Sequence, residues 1–188
     1  MLSRILVCLA LSSLLCPEAF AQGQLWIVDQ AGGPGVDFTA IQPAIDTAGE
    51  GDTIVIHGSP TPYAAFAIDG KSLVVKEEVG QTVLIGGIST VANISGAQSV
   101  TLRGLLIAHL RLMASSGTVL LEEVGYVTST IDDAEVEVLA CASVVLSRCS
   151  LRGPFNTVAG VPALLISGST VHVYETGAEG GTPNVEAG

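Results

Sequence analysis

The chain has 188 residues, 18 acidic against 7 basic side chains, a net charge of −11, 48% apolar residues and 22 glycines, but only 4% aromatics. A deficit of Lys and Arg, dispersed along the sequence, leaves no basic patch for nucleic acid, and the low charged fraction with high apolar content excludes a disordered chain. The abundance of aliphatic, hydroxyl and glycine residues suits a narrow β-rich solenoid.

Residues 1–21 carry Arg4, an apolar run from Ile5 to Leu15 and the small-x-small ending Ala19-Phe20-Ala21, the pattern of a secretory signal cleaved before Gln22. That run is shorter than the roughly 20 residues a bilayer span needs, and no later segment qualifies, so no transmembrane segment is expected. The expected product is secreted, either extracellular or at the cell surface. Its folded domain spans residues 22–176, and a flexible Gly-rich tail follows over residues 177–188.

Leu25 to Asp29 reads as a first short strand, followed by the turn-forming AGGPG. In FTAIQPAIDTA, residues Phe38, Ile41, Ala44, Ile45 and Ala48 recur at helical spacing. Thr39 and Gln42 suggest a capping box, Pro43 is tolerable near a helix start, and Gly49 is a stop signal. This short helix would cover the open end of a solenoid. Strands are predicted next at Gly51 to Gly58, Ala65 to Asp69, Ser72 to Glu77, Thr82 to Ile85 and Val91 to Ile94.

Four stretches then repeat one pattern: VTLRGLLI from Val100, VLLEEVGY from Val119, VVLSRCSL from Val144 and LLISGSTV from Leu164, at offsets of 19, 25 and 20 residues. That period, without helical spacing inside it, is the signature of stacked rungs. Stacking places Arg103 beside Glu122 and Glu123 beside Arg148, opposite charges in both cases, whereas like charges would disfavour the register. The column Thr101, Leu120, Val145 and Leu165 should face outward although it is largely apolar. The fold expected is all-β, a right-handed parallel β-helix with a short N-terminal capping helix.

The segment WIVDQAGGPGVDFTAIQPAIDTAGEGDTIVI, continuing through Pro62-Tyr63 to IDGKSLVVKE, resembles the opening of right-handed parallel β-helix proteins of the pectin lyase-like superfamily. The likeness is strongest to pectin methylesterase-like and secreted bacterial β-helix repeat proteins. The residues carrying it are Gly35, Asp37-Phe38, Ile41-Gln42, Ala44-Ile45, Gly51-Asp52 and Tyr63. The resemblance implies polysaccharide chemistry, by two aspartates with an arginine in the esterases or by acidic calcium ligands with an arginine base in the lyases. Neither constellation maps onto this chain residue by residue.

The residues that could carry such chemistry are few. Asp132 and Asp133, in an acidic run with Glu135 and Glu137, could bind Ca²⁺ through carboxylate oxygens, but in a strand such a run also makes a solvated face. No other cofactor is expected. Arg148 and Arg152 could hold a uronate carboxylate bidentately, and Asp132 or Asp133 with Arg152 is the one acid–base pairing worth testing. Arg148 has a competing structural role beside Glu123. His57, His109 and His172 lack metal spacing, and Asn93 forms a glycosylation sequon or a turn contact. Cys141 and Cys149 permit one disulfide, or else Cys149 is a small packing residue in the column of Leu105 and Val124.

Two functions are compatible with these features. One is an exported, non-catalytic module for extracellular or cell-surface interaction, with polysaccharide as the candidate ligand. The other is a polysaccharide lyase or esterase, or the N-terminal fragment of one.

Overall fold

The computed structural model describes residues 23–126, 136–152 and 163–179. They form a parallel β-solenoid of about five turns with a single short helix. In chain order the elements are β1 (Leu25–Val28), α1 (Ile41–Thr47), β2 (Asp52–Ile56), β3 (Ala67–Asp69), β4 (Leu73–Glu77), β5 (Val83–Ala92), β6 (Ser99–Arg103), β7 (Leu105–Met113), β8 (Thr118–Glu122), β9 (Gly125–Tyr126), β10 (Val136–Leu139), β11 (Ser143–Ser147), β12 (Ser150–Arg152), β13 (Leu164–Ser167), β14 (Val171–Tyr174) and β15 (Gly177–Glu179). Asp132 and Asp133, with residues 1–22 and 180–188, lie outside the described residues.

Each turn of the coil contributes three faces. Face 1 is a seven-stranded parallel sheet in the order β1-β2-β4-β6-β8-β11-β14. The second sheet has two arms on β7, with β9, β12 and β15 stacked on its first half (face 2) and β10 and β13 on its second half (face 3). The segments predicted as separate strands at Thr82 to Ile85 and Val91 to Ile94 are one strand, β5. Its register slips between Ile85 and Ile88, where Gly87 takes a φ of 79°. A glycine there lets the chain change direction without breaking the ladder.

Alternation fills the interior. Asp52, Leu73, Val100, Val119, Val144 and Val171 stack in one column of face 1, and Ile54, Val75, Leu102, Leu121, Leu146 and Val173 in the next. In each column the middle aliphatic residues are fully buried. The proposed neighbours Val100, Val119 and Val144 therefore stack as expected.

The fourth copy does not. LLISGSTV begins β13 and lies on face 3, where Leu164 pairs with Val136. The neighbour of β11 is instead β14, with Val144 opposite Val171 and Leu146 opposite Val173. Leu165 accordingly leaves the outward column of Thr101, Leu120 and Val145, and His172 takes that place.

The confusion has a structural cause. Faces 1 and 3 both end in a left-handed corner, followed on most rungs by a small or hydroxyl residue (Ser115, Cys141, Cys149, Ser169, Thr176) and on two by an aliphatic one, Ile94 and Val124. Glu123, Arg148 and Glu175 form one corner ladder with φ of 55°, 52° and 47°; Asn93, Ala114 and Ala140 form the other with φ of 58°, 48° and 53°. A non-glycine residue in this region costs about 1–2 kcal/mol. Each of these strained residues except Glu175 donates its N–H to the next rung, as Glu123 does to Ser147 O (2.9 Å), Arg148 to Tyr174 O (3.0 Å) and Ala140 to Ser167 O (2.9 Å).

The residues just after the corners explain the cysteines. Ser115, Ser169 and Thr176 turn their hydroxyls back onto the carbonyl two residues earlier, at 2.9 Å in each case. Cys141 and Cys149 occupy the same positions, with Sγ 3.5 Å from Leu139 O and Ser147 O respectively. Both thiols are free and buried. The extended strand β11 separates them, and five residues at roughly 3.3 Å each exceed the Cα span a disulfide tolerates. Burial raises the pKa of both thiols. Cys149 does stack over Val124, as the repeat suggested, while Thr176 rather than Ser169 continues its column.

The helix closes the first turn by burying Ile41, Ala44, Ile45 and Ala48. Its N-cap is Ala40, with no side-chain cap, so the expected Thr39–Gln42 box does not form. Gln42 instead bridges to face 3, accepting from Ala67 N at 2.7 Å and donating to Asp46 at 2.8 Å. Lys71 Nζ donates to Ile45 O and Ala48 O, both at 2.9 Å, and serves the carbonyl end. Asp52 pins this end by accepting from Gln24 N (2.6 Å), Trp26 Nε1 (2.9 Å) and Gly49 N (2.8 Å). At the other end, β15 pairs with β12 over Gly177–Glu179. Backbone pairing there does not require apolar side chains, which is why a Gly-Ala-Glu strand escaped notice.

Candidate functional site

Arg148 stands at the corner after β11. Glu122 and Glu123 sit on the rung beside it, and its guanidinium donates to both, with Nε 3.2 Å from Glu123 Oε1 and Nη2 2.5 Å from Glu122 Oε1. Those hydrogen bonds raise the Arg148 pKa further. Arg103 faces the same two carboxylates from the opposite side, at 3.6 and 3.4 Å. Glu77 extends the ladder by one rung. Its carboxyl pKa is raised by burial and then by Glu123, with Arg103 opposing. Gly104, at φ 70°, makes room for it, since a Cβ there would lie 2.5 Å from the Glu77 side chain.

This alternating row is the best-formed charged cluster among the described residues, and it is self-compensating. Arg148 spends its donors inside the chain rather than toward a substrate. Arg152 closes β12, its backbone paired with that of Glu179; Asp132 and Asp133, named with it as an acid–base pairing, lie outside the described residues. Among the described residues no three His, Cys, Asp or Glu side chains cluster to hold a metal ion. No helix among them is long and apolar enough to cross a membrane.

One constellation escaped the sequence reading. His57 Nδ1 lies 3.0 Å from Asp29 Oδ2, and its Nε2 lies 3.2 Å from Glu78 Oε2. Asp29, His57 and Glu78 each follow immediately after β1, β2 and β4, which are in register through Val28, Ile56 and Glu77. Aligning strand ends, rather than searching for metal spacing, would have found them. The Asp29 carboxyl pKa is lowered, first by the Ala31 amide and then by His57. Buried Tyr63 donates its hydroxyl to His57 O at 2.9 Å and accepts from Gln30 N at 3.3 Å. The imidazole is thus clamped across three rungs as a tie, a role that fits its two carboxylate neighbours better than proton transfer to a ligand. Asn93, likewise, uses its amide as a corner contact to Asp69 Oδ1 at 2.6 Å.

Concavities among the described residues are modest; one of about 480 Å³ lies between Gln30, Gln42 and Tyr63 at the helix. A trough of about 460 Å³ follows the corner between faces 3 and 1 over three rungs, floored by Ala114, Ala140 and Gly168 and reaching Thr170. It is lined by small and hydroxyl side chains, with no carboxylate or guanidinium. No family model, curated protein or solved structure matches this chain.

Proposed function

We propose that the chain is an exported β-helix module of the pectin lyase-like type that binds a polysaccharide outside the cell or at its surface without chemically altering it. The observation that carries the reading is the fate of Arg148. The best guanidinium candidate for holding a uronate in a reacting position is engaged by Glu122 and Glu123, and the trough at the corner between faces 3 and 1 is uncharged. Binding through hydroxyl and small apolar side chains suits that surface better than acid–base chemistry. The signal-like residues 1–21 support export, and the resemblance of residues 26–77 supports a glycan ligand.

The test is a panel of soluble and insoluble polysaccharides incubated with pure protein. Retention on at least one, with no change in chain length and no release of methanol or unsaturated products, is the expected outcome. Turnover abolished by Arg148→Ala or Arg152→Ala would establish the lyase or esterase alternative instead.

A further inference from the structure

Only one protonation state of His57 satisfies both of its neighbours. Nδ1 faces Asp29 Oδ2 at 3.0 Å, and Nε2 faces Glu78 Oε2 at 3.2 Å. An ionised carboxylate accepts and never donates, and a neutral imidazole carries a single N–H, so only the imidazolium bonds on both sides. The two anions are held unequally. Asp29 Oδ1 is fixed by the Ala31 amide at 2.8 Å, whereas the Glu78 side chain is 44% exposed and has water to turn to.

Beyond Glu78 the hydrogen bonds form a relay. Gln81 Nε2 donates to Glu78 Oε2, and Gln81 Oε1 accepts from the amide of Gly58, the residue after His57. Segment 58–62 is tied in turn to Gln30, whose Oε1 accepts from Ser59 Oγ at 2.6 Å and Thr61 Oγ1 at 2.7 Å and whose Nε2 donates to Pro62 O at 3.3 Å. Tyr63 completes the circuit, donating to His57 O and accepting from Gln30 N. Gln30, Pro62 and Tyr63 are at the same time wall residues of the 480 Å³ cavity beside α1.

We infer that His57 is a proton-operated latch: protonated, it holds the Glu78–Gln81 turn against segment 58–62, and on losing its proton it releases Glu78 and loosens the cavity wall beside α1. The neutral ring keeps Nδ1–H on the fixed Asp29 and turns the Nε2 lone pair toward a carboxylate, acceptor against acceptor. Glu78 moves to water, Gln81 loses its anchor and the Gly58 amide loses its partner. Among the described residues Asp29 and Glu78 are the charged groups paired with the ring. Tyr63 touches the His57 carbonyl, and burial raises its pKa, so its hydroxyl keeps its proton while the imidazole titrates. The latch is closed on the acid side of the imidazole transition and opens as pH rises through it; histidines as a class change charge at about pH 5 to 8. Protonation of the carboxylates, of which Asp29 resists longest through its lowered pKa, sets the lower limit of the closed state.

The experiment follows the full chain by amide-resolved NMR from about pH 5.5 to 8.5. The His57 ring protons and the amides of Gly58 and Gln30 should shift with one midpoint. Solvent exchange of the Gly58 amide, corrected for its intrinsic pH dependence, should rise at least tenfold across it. His57→Gln should abolish the transition at Gly58, whereas His172→Gln, which removes the exposed imidazole on β14, should leave it in place. Glu78→Gln supplies a carboxamide N–H that the neutral Nε2 accepts, so Gly58 should stay protected at the alkaline end. A Gly58 amide indifferent to the titration of the ring, or a transition that persists in His57→Gln, overturns the latch. A response at Gly58 that does not reach Gln30 overturns its link to the cavity. Should His57→Gln fail to fold, Glu78→Gln decides alone: a tenfold rise in Gly58 exchange that survives in that variant overturns the latch.

Discussion

The two ends of the described solenoid are built from the same alternating pattern and finished differently. At the first turn, α1 covers the column ends, Asp52 ties Gln24, Trp26 and Gly49 together, and Ile54 and Ile56 are fully buried. At the last described turn, Val173 occupies the same inward column as Ile54 and Leu146, yet it is 51% exposed, and Tyr174 beside it is 57% exposed. Sequence pattern assigns a side chain to the inside of a coil. Only a neighbouring rung or a cap removes it from water, so identical columns contribute unequally to stability.

Truncations along one column sharpen this contrast most. Leu146→Ala, in the middle of the coil, should cost about 3–4 kcal/mol through lost transfer energy and a cavity the stacked rungs cannot collapse. Val173→Ala should cost under about 1 kcal/mol, because half of the side chain is already hydrated. Chemical denaturation of both variants checks the pair, and equal losses would break the comparison.

Asp52→Ala should cost about 3 kcal/mol, since it strands two backbone donors and an indole N–H at a half-buried site. The single tryptophan, Trp26, makes its emission the natural reporter of that end.

Acid should separate the ends as well. Burial opposes ionisation of Asp52, but the hydrogen bonds from Trp26, Gly49 and Gln24 outweigh it and lower its pKa; Asp29 and Glu50 are also lowered, chiefly by backbone amides of Ala31 and Ser72. A carboxylate with a depressed native pKa contributes stability above its unfolded value, and that contribution is lost as pH falls through the native one. Glu77, raised by burial and Glu123, has the opposite sign and is relieved by protonation. The three lowered groups belong to the helix-capped end. A red shift of Trp26 emission below about pH 4, preceding loss of β-sheet circular dichroism, is therefore expected. Simultaneous changes would contradict a locally acid-sensitive cap.

Smaller effects test the corners. Arg148→Ala should leave the denaturation midpoint nearly unchanged, because its ion pairs are exposed to solvent and screened. The thiols of Cys141 and Cys149 should stay unreactive toward a thiol reagent at pH 7 in the folded protein and both react on unfolding, owing to burial and raised pKa values.

Much of the coil was legible in the sequence, because alternation at Val100–Leu102, Val119–Leu121 and Val144–Leu146 sets the inward face and the charges at Arg103, Glu122, Glu123 and Arg148 fix the register. The fourth rung was misplaced because faces 1 and 3 share a strand–corner–small-residue pattern that sequence spacing alone does not separate. The helix cap was misjudged because Gln42 finds Ala67, 25 residues away, a better partner than its own first turn. The His57 clamp was hidden for the same reason: it is a column, visible only when residues from different rungs are read across rather than along the chain.

Hydrogen–deuterium exchange resolved along the chain tests the central claim most directly. The account predicts slow exchange for the amides of β2 and β4 beneath the helix-capped end and faster exchange for those of β14, where Val173 is half exposed. Equal protection of β2 and β14 would contradict it.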